Sequence, residues 1–176
     1  MTGRRKFTLY LALCSVFSMT GCGYHVGGTA DMVPKGIQTI AVPPFVNGTT
    51  HYTLTDQLPA AISREFMART RFHVDNDENS ADAVLTGSIN RVGAYPVISD
   101  PISAKATTMQ LSVNVSVKLV ERATGKVLYA NKSLDVRTYY QIAIDPHQYF
   151  DESGPALDRL TREIASSVVS AVVENF

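Results

Sequence analysis

A strict alternation of apolar and polar side chains runs from Met109 to Leu119 and restricts the fold more than any other pattern in the chain. Successive residues of a β-strand point to opposite faces of the sheet, so a period of two predicts a strand buried on one face. The sequence ERATGK at residues 121–126 predicts a turn, with Gly125 supplying a permissive backbone. Residues 127–140 then return as the antiparallel partner. The polar side of the first strand consists of Gln110, Ser112, Asn114, Ser116 and Lys118.

Apolar residues recur at helical spacing in two segments on either side of these strands. In the first segment, Asp56 is the expected N-cap and the helix extends to about Thr70. This start places Pro59 in the third helical position, where its missing N–H removes no hydrogen bond. The second helix is expected to start at Pro155 and to extend nearly to Phe176. The apolar stripes are Leu54, Leu58, Ala61, Ile62 and Phe66 in the first helix and Leu157, Leu160, Ile164, Val168, Ala171 and Val172 in the second.

The remaining segments complete a fold of the α+β class. Further strands are expected at residues 37–42, 71–74 and 83–92, and loops at residues 46–53, 93–106 and 141–154. Two amphipathic helices and a sheet with one apolar face bury their apolar sides against each other. We therefore predict a two-layer sandwich, with both helices packed on one face of a mixed, mostly antiparallel sheet of about four strands.

The first 21 residues have the features of an export signal. Three basic residues, Arg4, Arg5 and Lys6, precede a largely apolar run from Phe7 to Met19. At 13 residues this run is too short for a helix that spans the hydrocarbon core, which takes about 20 residues. The segment is therefore expected to be removed rather than to remain as an anchor.

The sequence MTGC at residues 19–22 resembles a bacterial lipobox, in which the cysteine is lipidated and becomes the first residue of the mature chain. Cys22 is therefore the predicted lipidation site. An ordinary signal peptide that leaves a free thiol is the alternative, and such a thiol is a liability in an oxidising compartment. By resemblance to lipoproteins in general, Gly23 favours the outer membrane because it is not aspartate. The expected division is a signal peptide at 1–21, a lipidated tether at 22–36 and a single domain at 37–176.

The charge balance argues against a broadly basic surface. Removal of residues 1–21 would leave 13 of the 16 basic residues against 16 acidic residues, a net charge of about −3. This gives no general attraction to nucleic acid or to an anionic surface, so any anion site must be local. Basic residues on strands are either ordinary surface charges or binding groups for phosphate, to which charge-assisted hydrogen bonds are strong. The candidates are Arg91, Lys118, Lys132 and Arg137.

Apolar residues also occupy positions where exposed loop tips are expected. They either anchor a partner or cover the ends of the sandwich, and the sequence leaves both readings open. These residues are Tyr95, Pro96, Val97 and Ile98, followed by Tyr139, Tyr140 and Ile142.

Neither a catalytic motif nor a metal-binding motif occurs in the sequence. The four histidines form no HxxH or HExxH arrangement, and no GxSxG, SxxK or P-loop is present. Asp145, Asp151 and Glu152 are expected to be solvated loop acids rather than a catalytic pair. We therefore predict a non-enzymatic binding protein that needs no cofactor or metal.

Four stretches together resemble the LptE family of lipopolysaccharide-assembly lipoproteins. They are GCGYHVGG at 21–28, IQTIAVPPFVNGT at 37–49, REFMARTRFHV at 64–74 and ADAVLTGSI at 81–89. The resemblance covers Cys22 to about Ile89 by sequence pattern and the rest by the order of elements. It implies an outer-membrane lipoprotein that plugs the β-barrel LptD, helps that barrel to assemble, and binds lipopolysaccharide during delivery to the outer leaflet. Only the lipidated Cys22 carries over from the family as a functional residue.

Two other functions compete with this one. The segment IAVPPF at 40–45, followed by a loop and a helix, is also similar to a domain of curli-secretion and cell-wall-synthase-activating lipoproteins. A regulatory lipoprotein facing the periplasm is therefore the alternative, and co-purification with a peptidoglycan synthase rather than a barrel would identify it. A periplasmic hydrolase is the third candidate, and it requires a pocket that contains a perturbed titratable group.

Overall fold

The fold contains two helices and six strands in the part of the chain that the structure describes. The structure, a computed structural model, describes residues 36–102, 105–142 and 152–175. The expected signal peptide, Cys22 and most of the tether lie outside these residues, as do Asp145 and Asp151. In chain order the elements are β1 (Thr39–Ala41), β2 (Val46–Asn47), α1 (Leu54–Arg69), β3 (His73–Asp75), β4 (Ala83–Ser99), β5 (Ala106–Glu121), β6 (Val127–Gln141) and α2 (Ser153–Glu174).

The strands form one mixed sheet in the order β3-β1-β4-β5-β6, and β2 also pairs with β4. The short strands pair in parallel, whereas the long strands β4, β5 and β6 are antiparallel. Both helices pack on this sheet, so the predicted α+β sandwich is confirmed, with six strands rather than about four. The strand expected at 71–74 corresponds to β3, whereas β2 lies in a segment expected as a loop and, at two residues, is too short to show a period in the sequence.

Strand β4 extends well beyond its predicted end, and β5 begins before its predicted start, whereas β6 is close to its prediction. Residues 93–106 were expected as a loop because they contain glycine and proline, but β4 continues to Ser99 and β5 begins at Ala106. Pro96 pairs with Met109, and the register shifts immediately after it, which is how a strand accommodates a residue without an N–H donor. The predicted turn at the other end of β5 is correct, since Gly125 has a φ of 70°.

The core lies between the helices and the apolar face of the sheet. The predicted buried side of β5 is confirmed from Leu111 to Leu119, where each apolar residue is at most 5% exposed. Leu58 and Phe66 from α1, and Leu160 and Ile164 from α2, are equally buried opposite it. The hydrophobic stripes read from the sequence therefore meet in one cluster.

The start of α1 was predicted incorrectly. The helix begins at Leu54, so Asp56 is not the cap and Pro59 is the sixth helical residue rather than the third. Pro59 has no N–H with which to bond the carbonyl of Thr55, four residues earlier. That carbonyl instead accepts a hydrogen bond from the Phe45 N–H at 3.2 Å. The proline thus frees an acceptor that joins α1 to the segment between β1 and β2.

Asp82 ties the start of β1 to the start of β4. Its Oδ2 atom accepts hydrogen bonds from the backbone N–H groups of Gln38 and Thr39, at 2.8 and 2.9 Å. The backbone also contributes, because the Asp82 N–H donates to the Thr39 carbonyl and the Arg122 N–H donates to the Asp82 carbonyl. The bond from Gln38, followed by that from Thr39, lowers the pKa of the Asp82 carboxyl below its ordinary value of 3.8.

Asp82→Asn is expected to lower the free energy of unfolding at pH 7 because the amide accepts these bonds without a charge. A carboxyl whose pKa is depressed by folding stabilises the protein fully above pH 3.8, and this contribution is lost as the pH falls through the folded pKa. The difference between the variant and the wild type should therefore shrink below pH 3.8, measured by urea unfolding. Asp158→Asn, at an exposed position on α2, is the control, and a pH-independent difference for Asp82→Asn would contradict the assignment.

Candidate functional site

The candidate site is the face of the sheet that points away from the helices. Residues paired directly across antiparallel strands share a face, so the register of β4, β5 and β6 defines rows of neighbouring side chains. Three adjacent rows are Arg91–Asn114–Asp135, Gly93–Ser112–Arg137 and Tyr95–Gln110–Tyr139. We call the surface formed by these rows, together with Thr86, Ser88, Ser116, Lys118 and Lys132, the polar face.

A depression of about 210 Å³ brings Arg91 and Arg137 together on the polar face. Both side chains are exposed, and within the described residues neither forms an ion pair. A guanidinium presents several N–H donors in a fixed fork that matches phosphate or carboxylate oxygens. Two such groups are therefore free to bind an anion. The depression is lined by Arg91, Tyr95, Gln110, Ser112, Asn114, Asp135 and Arg137.

A chain of hydrogen bonds crosses the sheet beneath this depression. The Nδ2 atom of Asn90 donates to Oδ1 of Asn114 at 2.9 Å, and Nδ2 of Asn114 donates to Oγ of Ser133 at 2.9 Å. The register shifts on both sides of Asn114, between Ile89 and Arg91 in β4 and at residues 131–134 of β6. Such shifts re-aim side chains, and Asn114, which lies in the row between Arg91 and Asp135, is only 7% exposed.

The other two predicted cations, Lys118 and Lys132, lie further along the strands. They line a second depression of about 590 Å³, whose wall also includes Val46 and Val127. The four candidate residues thus fall into two pairs rather than one cluster. Lys118 follows Asn114 by four residues on β5, which separates the pairs by about 14 Å along the strand. Their location is established by the fold, whereas their ligand stays a prediction.

The apolar residues expected on loop tips lie in three different places. Tyr95 and Tyr139 lie on strands, on the polar face, and are 50% and 56% exposed. Tyr140 instead packs against the core. Val97 and Ile98, 52% and 57% exposed, continue β4 beyond the rows. Exposed aromatic rings next to the arginines were not predicted, because residues 93–106 were assigned to a loop.

Two carboxyls among the described residues, Asp75 and Asp82, have a lowered pKa. The pKa of Asp75 is lowered, chiefly by a hydrogen bond from Ser80, as that of Asp82 is lowered by Gln38. Both shifts favour the ionised carboxylate, whereas a general acid needs a raised pKa. The part of the chain that the structure describes contains no group of three metal-ligating side chains. None of its helices has the length and apolar composition needed to cross a membrane.

The sequence matches one protein family over most of its length. Residues 37–172 match the LptE family, whose description is lipopolysaccharide assembly. The chain belongs to the LptE family. The match includes every strand and nearly all of α2, so it extends the resemblance seen in the N-terminal half of the sequence. This is a family of non-enzymatic envelope lipoproteins, which agrees with the predicted binding role. The comparison with curated proteins yields no match.

Solved structures share the fold of this LptE-family chain at low sequence identity. Rare lipoprotein B from Shewanella oneidensis is 10% identical, with a TM-score of 0.55 over 77% of this chain and 94% of that one. A minor lipoprotein from Acinetobacter baumannii is 12% identical, with a TM-score of 0.51 over 81% and 95%. A PelC dodecamer from Paraburkholderia phytofirmans is 14% identical, with a TM-score of 0.51 over 77% and 86%. Since the fold also occurs in PelC, it does not by itself decide the function.

Two residues of the LptE-family polar face were missed by sequence reasoning. Asp135 places a carboxylate in the same row as Arg91, and Asn114 is a buried network residue rather than a solvated one. The alternation predicted the face on which Asn114 lies. Its neighbours on β4 and β6 depend on register, which bulges shift and a single strand does not reveal.

Proposed function

We propose that this LptE-family protein binds lipopolysaccharide through the polar face and acts with an LptD-type β-barrel at the outer membrane, anchored by acylated Cys22. The observation that carries the proposal is the placement of four cationic side chains on one face of the sheet, opposite the helices. Lipopolysaccharide is a phosphorylated glycolipid, so it offers the anionic groups that such a face binds.

The polar face carries a net positive charge, although the chain as a whole is neutral. Of the charged side chains that line the two depressions, four are cationic and one, Asp135, is anionic. The whole chain carries 16 basic and 16 acidic residues. A local excess of one sign attracts an anionic ligand and orients it, even on a neutral protein. The shallow, exposed geometry favours headgroup contacts over enclosure of acyl chains.

The barrel partner follows from the family resemblance, and the surface of the domain supports it. The lumen of a membrane barrel is polar, so a subunit inside it should expose few large apolar patches. Exposed apolar side chains such as Tyr52 and Met67 are single positions on different elements. Two groups form exceptions: Val46 and Val127 line one depression, and Val97, Ile98 and Ile102 gather near the end of β4.

Purification of the full chain with a C-terminal tag under mild detergent extraction tests this proposal. We expect a large β-barrel protein in stoichiometric amount and labelling of the chain by radioactive palmitate. Cys22→Ser should abolish the label, because the acylated sulfur is gone. Cys14→Ser, within the expected signal, is the matched control and should keep it.

Three results would contradict the proposal. If no β-barrel co-purifies under mild extraction, the proposed role as a barrel plug is wrong. If a peptidoglycan synthase co-purifies instead, the regulatory alternative is favoured. An unlabelled wild-type chain that appears in osmotic-shock fluid would exclude the lipid anchor.

A further inference from the structure

The ring of Tyr95 is held on the polar face by contact with Gly93. A Cβ atom at Gly93 would come within 2.6 Å of the Tyr95 hydroxyl oxygen and 2.8 Å of Cε2 and Cζ, closer than a real side chain allows. Glycine is therefore needed at this position for the ring to lie against the strand. Tyr95 nevertheless remains 50% exposed, so the packing fixes the ring while much of it still faces solvent.

Polar groups of several kinds surround this ring. Tyr95 pairs with Gln110, and the adjacent row contains Ser112 and Arg137. The Nε2 atom of Gln110 donates to the hydroxyl of Tyr139 at 3.3 Å, which leaves the amide oxygen of Gln110 free to accept. Hydroxyl, amide and guanidinium groups beside an exposed aromatic ring can meet both the apolar C–H face and the hydroxyl groups of a sugar.

We propose that Tyr95 is a stacking platform for one sugar ring of a phosphorylated glycan whose phosphate lies against Arg91 and Arg137. The face of an aromatic ring is electronegative, and it attracts C–H groups polarised by neighbouring oxygen atoms. The depression of about 210 Å³ is smaller than the about 300–1,000 Å³ that encloses a drug-sized ligand. It therefore fits a single headgroup or sugar ring. This inference rests on the proposed function and specifies which part of lipopolysaccharide the site contacts.

Other occupants fit the depression less well. An acyl chain requires an apolar lining, and apart from the ring of Tyr95 this lining is polar or charged. A phosphate without a sugar would use the arginines and leave the ring without a role. Asp135 repels a second anionic group but accepts hydrogen bonds from sugar hydroxyl or amino groups. A phosphate flanked by such groups therefore matches both arginines, the aromatic ring and Asp135.

Binding of deacylated lipopolysaccharide to the full chain in detergent, measured by calorimetry, tests the platform. Tyr95→Leu should weaken binding about tenfold, equivalent to about 1.4 kcal/mol, because leucine keeps an apolar side chain and removes the π face. Tyr95→Phe should stay within about twofold of the wild type. Binding of phosphatidylglycerol in the same detergent, which has phosphate but no sugar, should be unchanged in Tyr95→Leu. Gly93→Ala, which displaces the ring, should reproduce the loss.

Controls separate failure of the platform from failure of the proposed function. Tyr52→Leu alters a tyrosine that is 75% exposed on another part of the fold, and it should leave affinity unchanged. If Arg91→Ala weakens binding of both probes while Tyr95→Leu and Gly93→Ala weaken neither, the platform is wrong and the proposed function stands. If Arg91→Ala also has no effect, the proposed function fails as well. Displacement of the oligosaccharide by an equal concentration of glucosamine 1-phosphate would assign the site to a free sugar phosphate and overturn the lipopolysaccharide assignment.

Discussion

Gly87→Ala is expected to lower the free energy of unfolding by about 3 kcal/mol, at the upper end of the range for overpacked cores. A Cβ at Gly87 would lie 2.2 Å from Cε2 of Phe45, 2.4 Å from Cζ and 2.5 Å from Cδ2. Contacts this short cannot be relieved without moving the ring. Since small domains are stable by about 5–15 kcal/mol, the variant loses a large fraction of its stability. Urea unfolding followed by circular dichroism measures the change.

The ring of Phe45 has little room to move because the residue is buried and its backbone is bonded to α1. It is 2% exposed, and its backbone N–H is bonded to the Thr55 carbonyl that Pro59 leaves free. A shift of the ring would therefore disturb the junction between α1 and the sheet. Phe45→Leu should reduce the penalty of Gly87→Ala, and a double-mutant cycle measures this coupling.

Gly154→Ala is the matched control for the glycine substitution. No atom lies within 4 Å of a Cβ built at Gly154, which is in the first turn of α2. Alanine is favoured over glycine in helices, so this change should be neutral or stabilise by up to about 1 kcal/mol. If the free energy of unfolding of Gly87→Ala lies within about 0.5 kcal/mol of the wild-type value, the close packing of Phe45 on Gly87 is wrong.

Sequence patterns predicted the fold where they were long enough to be periodic. The alternation from Met109 to Leu119 gave the buried face of β5, and the helical stripes gave both helices. Local signals misled where tertiary contacts override them. Pro59 was placed at the helix start, yet it lies inside α1 because Phe45 takes the acceptor that the proline cannot use. Pro96 indicated a loop, yet β4 continues through it because the register shifts there.

The candidate site could be predicted only in part, because it depends on register. Charge on strands identified the four cations, but their division into two pairs follows from the pairing of β4 and β6 with β5. In the sequence, Asn114 is one of five residues on the polar side of its strand, whereas two adjacent bulges make it the centre of a buried network. Tyr95 was a candidate anchor on a loop tip, but its place beside the arginines follows only once the strand that carries it is known to continue.

Simultaneous alanine substitution of the four cations is expected to weaken lipopolysaccharide binding roughly a thousandfold. Each exposed, solvent-screened contact with phosphate is worth about 1 kcal/mol, and four together correspond to three powers of ten. All four side chains are exposed and none is part of the core, so stability should change little. The affinity of the wild type should also fall as salt is added, and the variant should lose most of this dependence. Titration of the full chain in detergent at two salt concentrations provides both measurements. The variant removes Arg91, Lys118, Lys132 and Arg137.

A second variant with the same change in net charge distinguishes a local site from a general electrostatic effect. It replaces four exposed basic residues elsewhere by alanine, namely Arg64, Arg71, Lys126 and Arg162. Long-range attraction depends on total charge and would fall equally in both variants, whereas short contacts depend on position. We expect the control to bind within about threefold of the wild type, a difference of less than 1 kcal/mol. If both variants lose affinity equally, or if the first variant keeps its affinity, the polar face is not the binding site for lipopolysaccharide. Separate removal of Arg91 with Arg137 and of Lys118 with Lys132 then assigns the loss to one depression or to both.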